Sequence, residues 1–174
     1  MRPVTTTVLV AAILGSAVPG ASAATAPSPR TIAQAVAAAE RSRALWATVN
    51  ICSSRRDPNS LGIRGQMPTL GFPATLSMQI QVDYWSTTGK RFVAIRSATA
   101  MKTLPLGRQS TGLQQDGAIF PFSAHAGLLN ATITFTWTRA GKVLGHVARR
   151  TTAGHPTAMY GSPPHYSAAQ CTIK

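Results

Sequence analysis

Proton transfer, metal binding and nucleophilic attack call for carboxylates, histidines or thiolates, and this 174-residue chain has few of them. Its carboxylates are Glu40, Asp57, Asp83 and Asp116. Hydrolysis of a glycosidic bond needs two that face each other across it. Asp57-Pro58 and Asp116-Gly117 are turn contexts, where an aspartate bonds its own backbone. Asp83 falls on the polar side of an alternating segment. His125, His146, His155 and His165 are scattered, none at the i, i+4 spacing that sets two ligands on one helix face. No Gly-x-Ser-x-Gly elbow and no phosphate-cradling glycine loop occurs. No catalytic, cofactor or metal residue is therefore assigned, and the chain reads as a non-catalytic binding or structural domain. The alternative is a hydrolase whose site assembles from His155, His165 and Asp57, which requires at least two of them within hydrogen-bond reach in a cleft.

Basic residues are the chemistry the chain does have. Seventeen Lys and Arg stand against four Asp and Glu, a net charge of +13, although charged residues make up only 12% of the chain. Such a field attracts anionic cell-wall polymer or an anionic lipid surface. An arginine-rich skew can also follow from genome base composition alone. Two groups stand out. Arg139 and Lys142 sit at one end of an expected hairpin with Arg149-Arg150 at the other, and Arg55-Arg56 pairs with Arg64. Either could grip phosphates or carboxylates; a solvated strand end or loop is the plainer alternative for each. Nucleic acid would need aromatics interleaved with these residues. Only Trp85, near Lys90, is a candidate, so nucleic acid is not expected. Asn130-Ala131-Thr132 fits a glycosylation sequon.

The N-terminus reads as a cleavable secretory signal peptide over residues 1–23. Arg2 gives a positive start, Val4 to Val18 an apolar stretch, Pro19-Gly20 a break, and Ala21-Ser22-Ala23 the small residues before a cut at Ala24. The uninterrupted apolar core, Val8 to Leu14, is far shorter than the roughly 20 residues that span a bilayer. Arg2 stands alone, which argues against a twin-arginine signal, and no cysteine lies near the cut to carry lipid. No transmembrane segment is expected after cleavage, and the mature side chains would carry +12. In an oxidising compartment, Cys52 and Cys171 favour one disulfide. Two buried thiols or a metal pair are the alternatives, the metal lacking companion ligands at zinc spacing.

These residues must be positioned by elements that the patterning predicts. Residues 24–43 form a tether and a short helix, Thr31 to Arg43, with Thr31 as N-cap and Arg41 and Arg43 in its last turn. Burying only Ile32 and Val36, it would dock weakly as a mobile arm. Residues 44–174 form the main domain. Leu45 to Cys52 has apolar residues on both faces, a strand whose sides cannot be assigned. Arg55 to Asn59 is a turn, and the stretch on to Pro73 reads as a long Gly/Pro-rich connection. Leu76, Met78, Ile80, Val82 and Tyr84 alternate with polar residues as a half-buried strand. A Ser86–Gly89 turn would set Val82 opposite Val93 and Ile80 opposite Ile95. Ile133, Phe135 and Trp137 alternate with threonines, and a three-residue Arg139–Gly141 loop would pair Trp137 with Val143 and Ile133 with Val147, turning His146 outward. Ala118 to Phe122 is a short strand that Pro121 sends to an edge, and Tyr166 to Ile173 closes the chain as a last strand.

About seven short strands with few helical signals predict an all-β, antiparallel sandwich. A Cys in the first strand and one in the last resembles immunoglobulin-like domains. Trp85 lies far downstream of Cys52, and Tyr166 stands five residues before Cys171 rather than two, so the likeness reaches the architecture only. The stretches Leu45-Trp46-Ala47-Thr48-Val49-Asn50-Ile51-Cys52 and Tyr166-Ser167-Ala168-Ala169-Gln170-Cys171-Thr172-Ile173 resemble those of uncharacterised exported actinobacterial proteins. That resemblance spans most of the mature chain and implies export and an immunoglobulin-like sandwich, with no activity attached.

Overall fold

The computed structural model describes residues 26–174, so the expected leader and its cut before Ala24 lie outside the described residues. Within them run α1 (Pro29–Glu40), β1 (Trp46–Cys52), β2 (Ser60–Pro68), β3 (Ala74–Ser86), β4 (Arg91–Ala94), β5 (Met101–Gln109), β6 (Leu113–Pro121), β7 (Gly127–Arg139), β8 (Lys142–Arg150) and β9 (Cys171–Ile173). The strands form two antiparallel sheets packed as a sandwich. The smaller has the order β1-β2-β6. The larger is centred on β3 and β7, and both of its edges are split. Residues 74–81 of β3 pair with β5 and residues 83–86 with β4, while β7 pairs with β8 along most of its length and with β9 at its start.

The core forms where the two inner faces meet. Leu76, Met78, Ile80 and Val82 of β3 and Ala131, Ile133, Phe135 and Trp137 of β7 are wholly buried against Val49, Leu61, Ile63 and Met67 of the smaller sheet. Their alternation is the one the sequence predicts, because the larger sheet has one dry face and one polar face. Tyr84 departs from it. It continues the same face but is 41% exposed. Trp137, buried with a polar N–H, donates from Nε1 to the Pro68 carbonyl at 2.9 Å.

Both hairpin registers differ from expectation by two residues. Tyr84 faces Val93, and the loop is Thr87 to Lys90. In the second hairpin a two-residue turn, Ala140-Gly141, holds φ of 48° and 76°, the left-handed pair that a tight hairpin requires. A bulge then sets Trp137 opposite Gly145 and Ile133 opposite Arg149. His146 does face outward. Pairing Trp137 with a glycine has a reason: α1 lies there. A Cβ on Gly145 would collide with Val36, and Arg149 donates to the Glu40 carbonyl from the strand beneath. The helix is thus docked, with Val36 and Ala39 buried, rather than a mobile arm. It begins earlier than expected, with Ser28 as N-cap accepting from the Thr31 N–H and Pro29 in its first turn, and ends before Arg41.

The expected connection from residue 60 to 73 is instead largely a strand, β2, at the centre of the smaller sheet. Its glycines are packing devices, not loop signals. A Cβ on Gly62 would stand 2.6 Å from Ile51 Cβ, and one on Gly65 2.8 Å from Ile133 Cδ1. Strand β5 was also unexpected, since Pro105 and Gly107 interrupt it; both are tolerated at a bulged edge. β6 is an edge strand, as expected, but it starts at Leu113 rather than Ala118 and ends at Pro121 rather than Phe122.

Candidate functional site

The smaller sheet is covered on its outer face as well. Residues 152–168 cross it without regular structure and bury β1 from the other side, which is why Trp46 through Ile51 are all buried. Only residues 171–173 of the expected last strand are strand, and they pair with β7. Named contacts pin the covering segment. His155 stacks on Trp46 at 4.7 Å, and Thr48 and Ser167 share a hydroxyl bond of 2.7 Å. Asn50 Nδ2 donates to the carbonyls of Met159 and Tyr160 at 3.0 and 3.2 Å. Gln115 accepts from the Met159 N–H and donates to the Thr157 carbonyl and to Gln66 Oε1. Side-chain amides thus satisfy a segment that has no ladder of its own.

Where this segment stands off the sheet, a groove of about 520 Å³ opens between β1, β2 and β6 on one side and Tyr160 to Pro164 on the other. A bulge between Val49 and Ile51 lets both Asn50 and Ile51 line it. Arg64 comes up from β2 beside its cross-strand partner Gly117, whose Cβ, if present, would strike the Ile63 carbonyl. The Arg64 side chain is 12% exposed. Its Cζ lies 4.9 Å from the centroid of the Tyr160 ring, and its Nη1 lies 3.9 Å from Asp116 Oδ1. Burial pushes the Arg64 pKa down, while Asp116 and Tyr160 pull it back up. Arg56 and Asp57 complete the wall, and Arg55 and Arg56 line an adjoining cleft.

The fold gathers one basic group and divides the other. Arg55, Arg56 and Arg64 come together at this groove and its neighbour. Arg139 and Lys142 pair across the β7–β8 turn, with Arg139 over the Phe72 ring at 5.4 Å. Arg149 and Arg150, roughly 25 Å further along the strand, point to opposite faces. Arg149 lies under α1, and Arg150 lies over Phe92 at 5.8 Å. Trp85 meets Phe92 edge-on at 5.2 Å, so its packing partner is its cross-strand neighbour. Asn130 of the sequon is 3% exposed, so the folded domain has no room for a glycan there.

The residues of the hydrolase alternative are occupied separately. His155 Nε2 bonds the Thr152 hydroxyl, His165 Nδ1 the Pro156 carbonyl, and Asp57 accepts from Ser54. No hydrogen bond among the described residues joins any two of the three. Groups of three or more potential metal ligands are absent among the described residues. No described helix is long and apolar enough to cross a membrane. Cys52 and Cys171 form a disulfide with Cα atoms 5.4 Å apart, which joins β1 of the smaller sheet to β9 of the larger.

No family model matches the chain, and no curated protein matches it. Among solved structures, a similarity is found to the sporulation control protein Spo0M from Bacillus subtilis, at 10% identity and a TM-score of 0.27. It covers 62% of this chain and 48% of that one, and a likeness this slight carries no argument.

Asn50, Tyr160 and Ile119, which line the groove, were not among the residues singled out from sequence. Tyr160-Gly161 sits in a Pro/Gly-rich tail whose path over the sheet no periodicity announces.

Proposed function

We propose that this chain is an exported, non-catalytic binding domain with an immunoglobulin-like sandwich, which associates with anionic polymers of the cell envelope through its basic surface. The observation that carries this reading is the convergence of Arg56 and Arg64 in one groove, with Arg55 beside them, on a chain of net charge +13. A guanidinium fork suits carboxylate and phosphate alike. Export follows from the leader pattern before Ala24, and a disulfide fits an oxidising compartment. A disulfide that links the two sheets, as the inter-sheet bridge of immunoglobulin domains does, supports the immunoglobulin-like reading.

The test is retention of the oxidised protein on purified anionic cell-wall polymer over a salt series. Retention should be strong in dilute buffer and lost by about 1 M salt, where the Debye length falls to roughly 3 Å. Binding indifferent to ionic strength would refute the electrostatic mechanism.

A further inference from the structure

We infer that the groove takes one anionic sugar unit, a ring bearing a carboxylate or phosphate, with the anion on Arg64 and the ring along Tyr160. This rests on the reading of the chain as a binder of anionic polymers and adds to it a recognised unit.

The first ground is that Arg64 is a nearly buried cation without adequate partners. Its Nε is buried and has no hydrogen-bond partner. The nearest carboxylate oxygen, Asp116 Oδ1, is 3.9 Å away, beyond hydrogen-bond reach, and already accepts the Gly117 N–H at 2.7 Å. Buried charges are ordinarily paired and hydrogen-bonded. An anion entering the groove would pair this charge through the two Nη groups, since a planar fork holds a carboxylate or phosphate through two parallel bonds.

The second ground is Tyr160. It is 73% exposed and adopts a φ of 57°, a region costly for a residue with a side chain. The bond from buried Asn50 to its carbonyl holds it there. With Arg64 against one side of the ring, the remainder is an exposed aromatic surface for an amphipathic partner. Asp57, whose Oδ2 accepts from Ser54 at 3.3 Å, leaves its other oxygen for a hydroxyl donor. Ile51 and Ile119 supply apolar surface. A cationic donor fork, a hydroxyl acceptor, an aromatic wall and an apolar floor together describe an acidic sugar better than a bare polyanion. The volume is within the usual range for small-ligand sites.

The experiment is titration calorimetry of the oxidised protein with glucuronate, glucose 6-phosphate, glucose and inorganic phosphate, run beside the polymer-retention assay. At least one charged sugar should bind, and which one does identifies the anion as carboxylate or phosphate. Glucose and inorganic phosphate should each bind about tenfold more weakly or worse. Arg64→Lys keeps the charge but loses the fork, and should weaken the charged sugar by roughly tenfold or more. Tyr160→Ala, at an exposed position, should weaken it as well. The inference is overturned if neither charged sugar binds while the polymer is retained, if inorganic phosphate binds as well as the sugars, or if both variants bind like the parent. Binding of a charged sugar without polymer retention would uphold the groove and reject the wider function.

Discussion

Breaking the Cys52–Cys171 bond should cost the domain a large part of its stability. The two residues are 119 apart in sequence, so the bond closes nearly the whole sandwich into one loop. The chain-entropy relation gives about 4.9 kcal/mol at 25 °C for a loop of that length, as a ceiling. Domains of this size are held by roughly 5–15 kcal/mol in total, so a reduced protein would be marginal. The loss should also be uneven. β9 has three residues and three register pairs to β7, and without the bond no cross-link holds it beside β1. Urea unfolding of oxidised and reduced protein measures the effect. With an m-value of about 2 kcal/mol/M, the full loss would shift the midpoint by about 2.5 M. Cys52→Ala and Cys171→Ala should each reproduce most of the shift, and the double variant should add little, since both remove one bond. Amide exchange at residues 171–173 should quicken first on reduction. Equal midpoints for oxidised protein and protein with both thiols alkylated would refute the reasoning.

Two further changes probe how the sandwich is held. Gly145→Ala would put a Cβ against Val36 and 3.1 Å from Glu40 Oε1, and should cost about 1–3 kcal/mol by overpacking, with faster amide exchange in residues 29–40. Adding Val36→Ala should relieve part of that cost in denaturation measurements, and strict additivity of the two changes would count against direct contact. Burial raises the pKa of Asp83, with the Thr132 hydroxyl and Arg150 pulling the other way. The folded state therefore takes up this proton before the unfolded chain does, and the contribution is full below about pH 4 and lost as pH rises through the folded value. Asp83→Asn should accordingly stabilise the protein near neutral pH, and the advantage should vanish at about pH 3.5. A gain of equal size at both pH values would contradict the burial explanation.

How much of this was legible in the sequence depended on where water lies. The larger sheet keeps one face toward solvent, so Leu76 to Val82 and Ile133 to Trp137 alternate and declare their inner side. The smaller sheet has core on one side and the 152–168 segment on the other. Its strands lose the alternation, and Gly62, Gly65 and Pro68 make β2 look like a loop. The hairpin registers failed for a related reason. Matching apolar with apolar placed Val143 beside Trp137, but the space over that position of β8 belongs to α1, and Gly145 admits the helix there.

The candidate site divides along the same line. Arg55, Arg56 and Arg64 were visible as a basic group because charge is a property of composition and survives any error in secondary structure. That error mattered nevertheless. With Arg64 in a loop, it reads as one more solvated cation. On β2 it becomes a nearly buried one, because strand geometry sends it to the outer face and Gly117 across the ladder leaves it room. The residues that turn a basic patch into a groove come from a stretch with no periodic signal. Tyr160 is where it is because Asn50 and Gln115, on two different strands, hold the backbone on either side of it. The tail and its amide anchors therefore give the groove its shape, while the sandwich beneath contributes the charge.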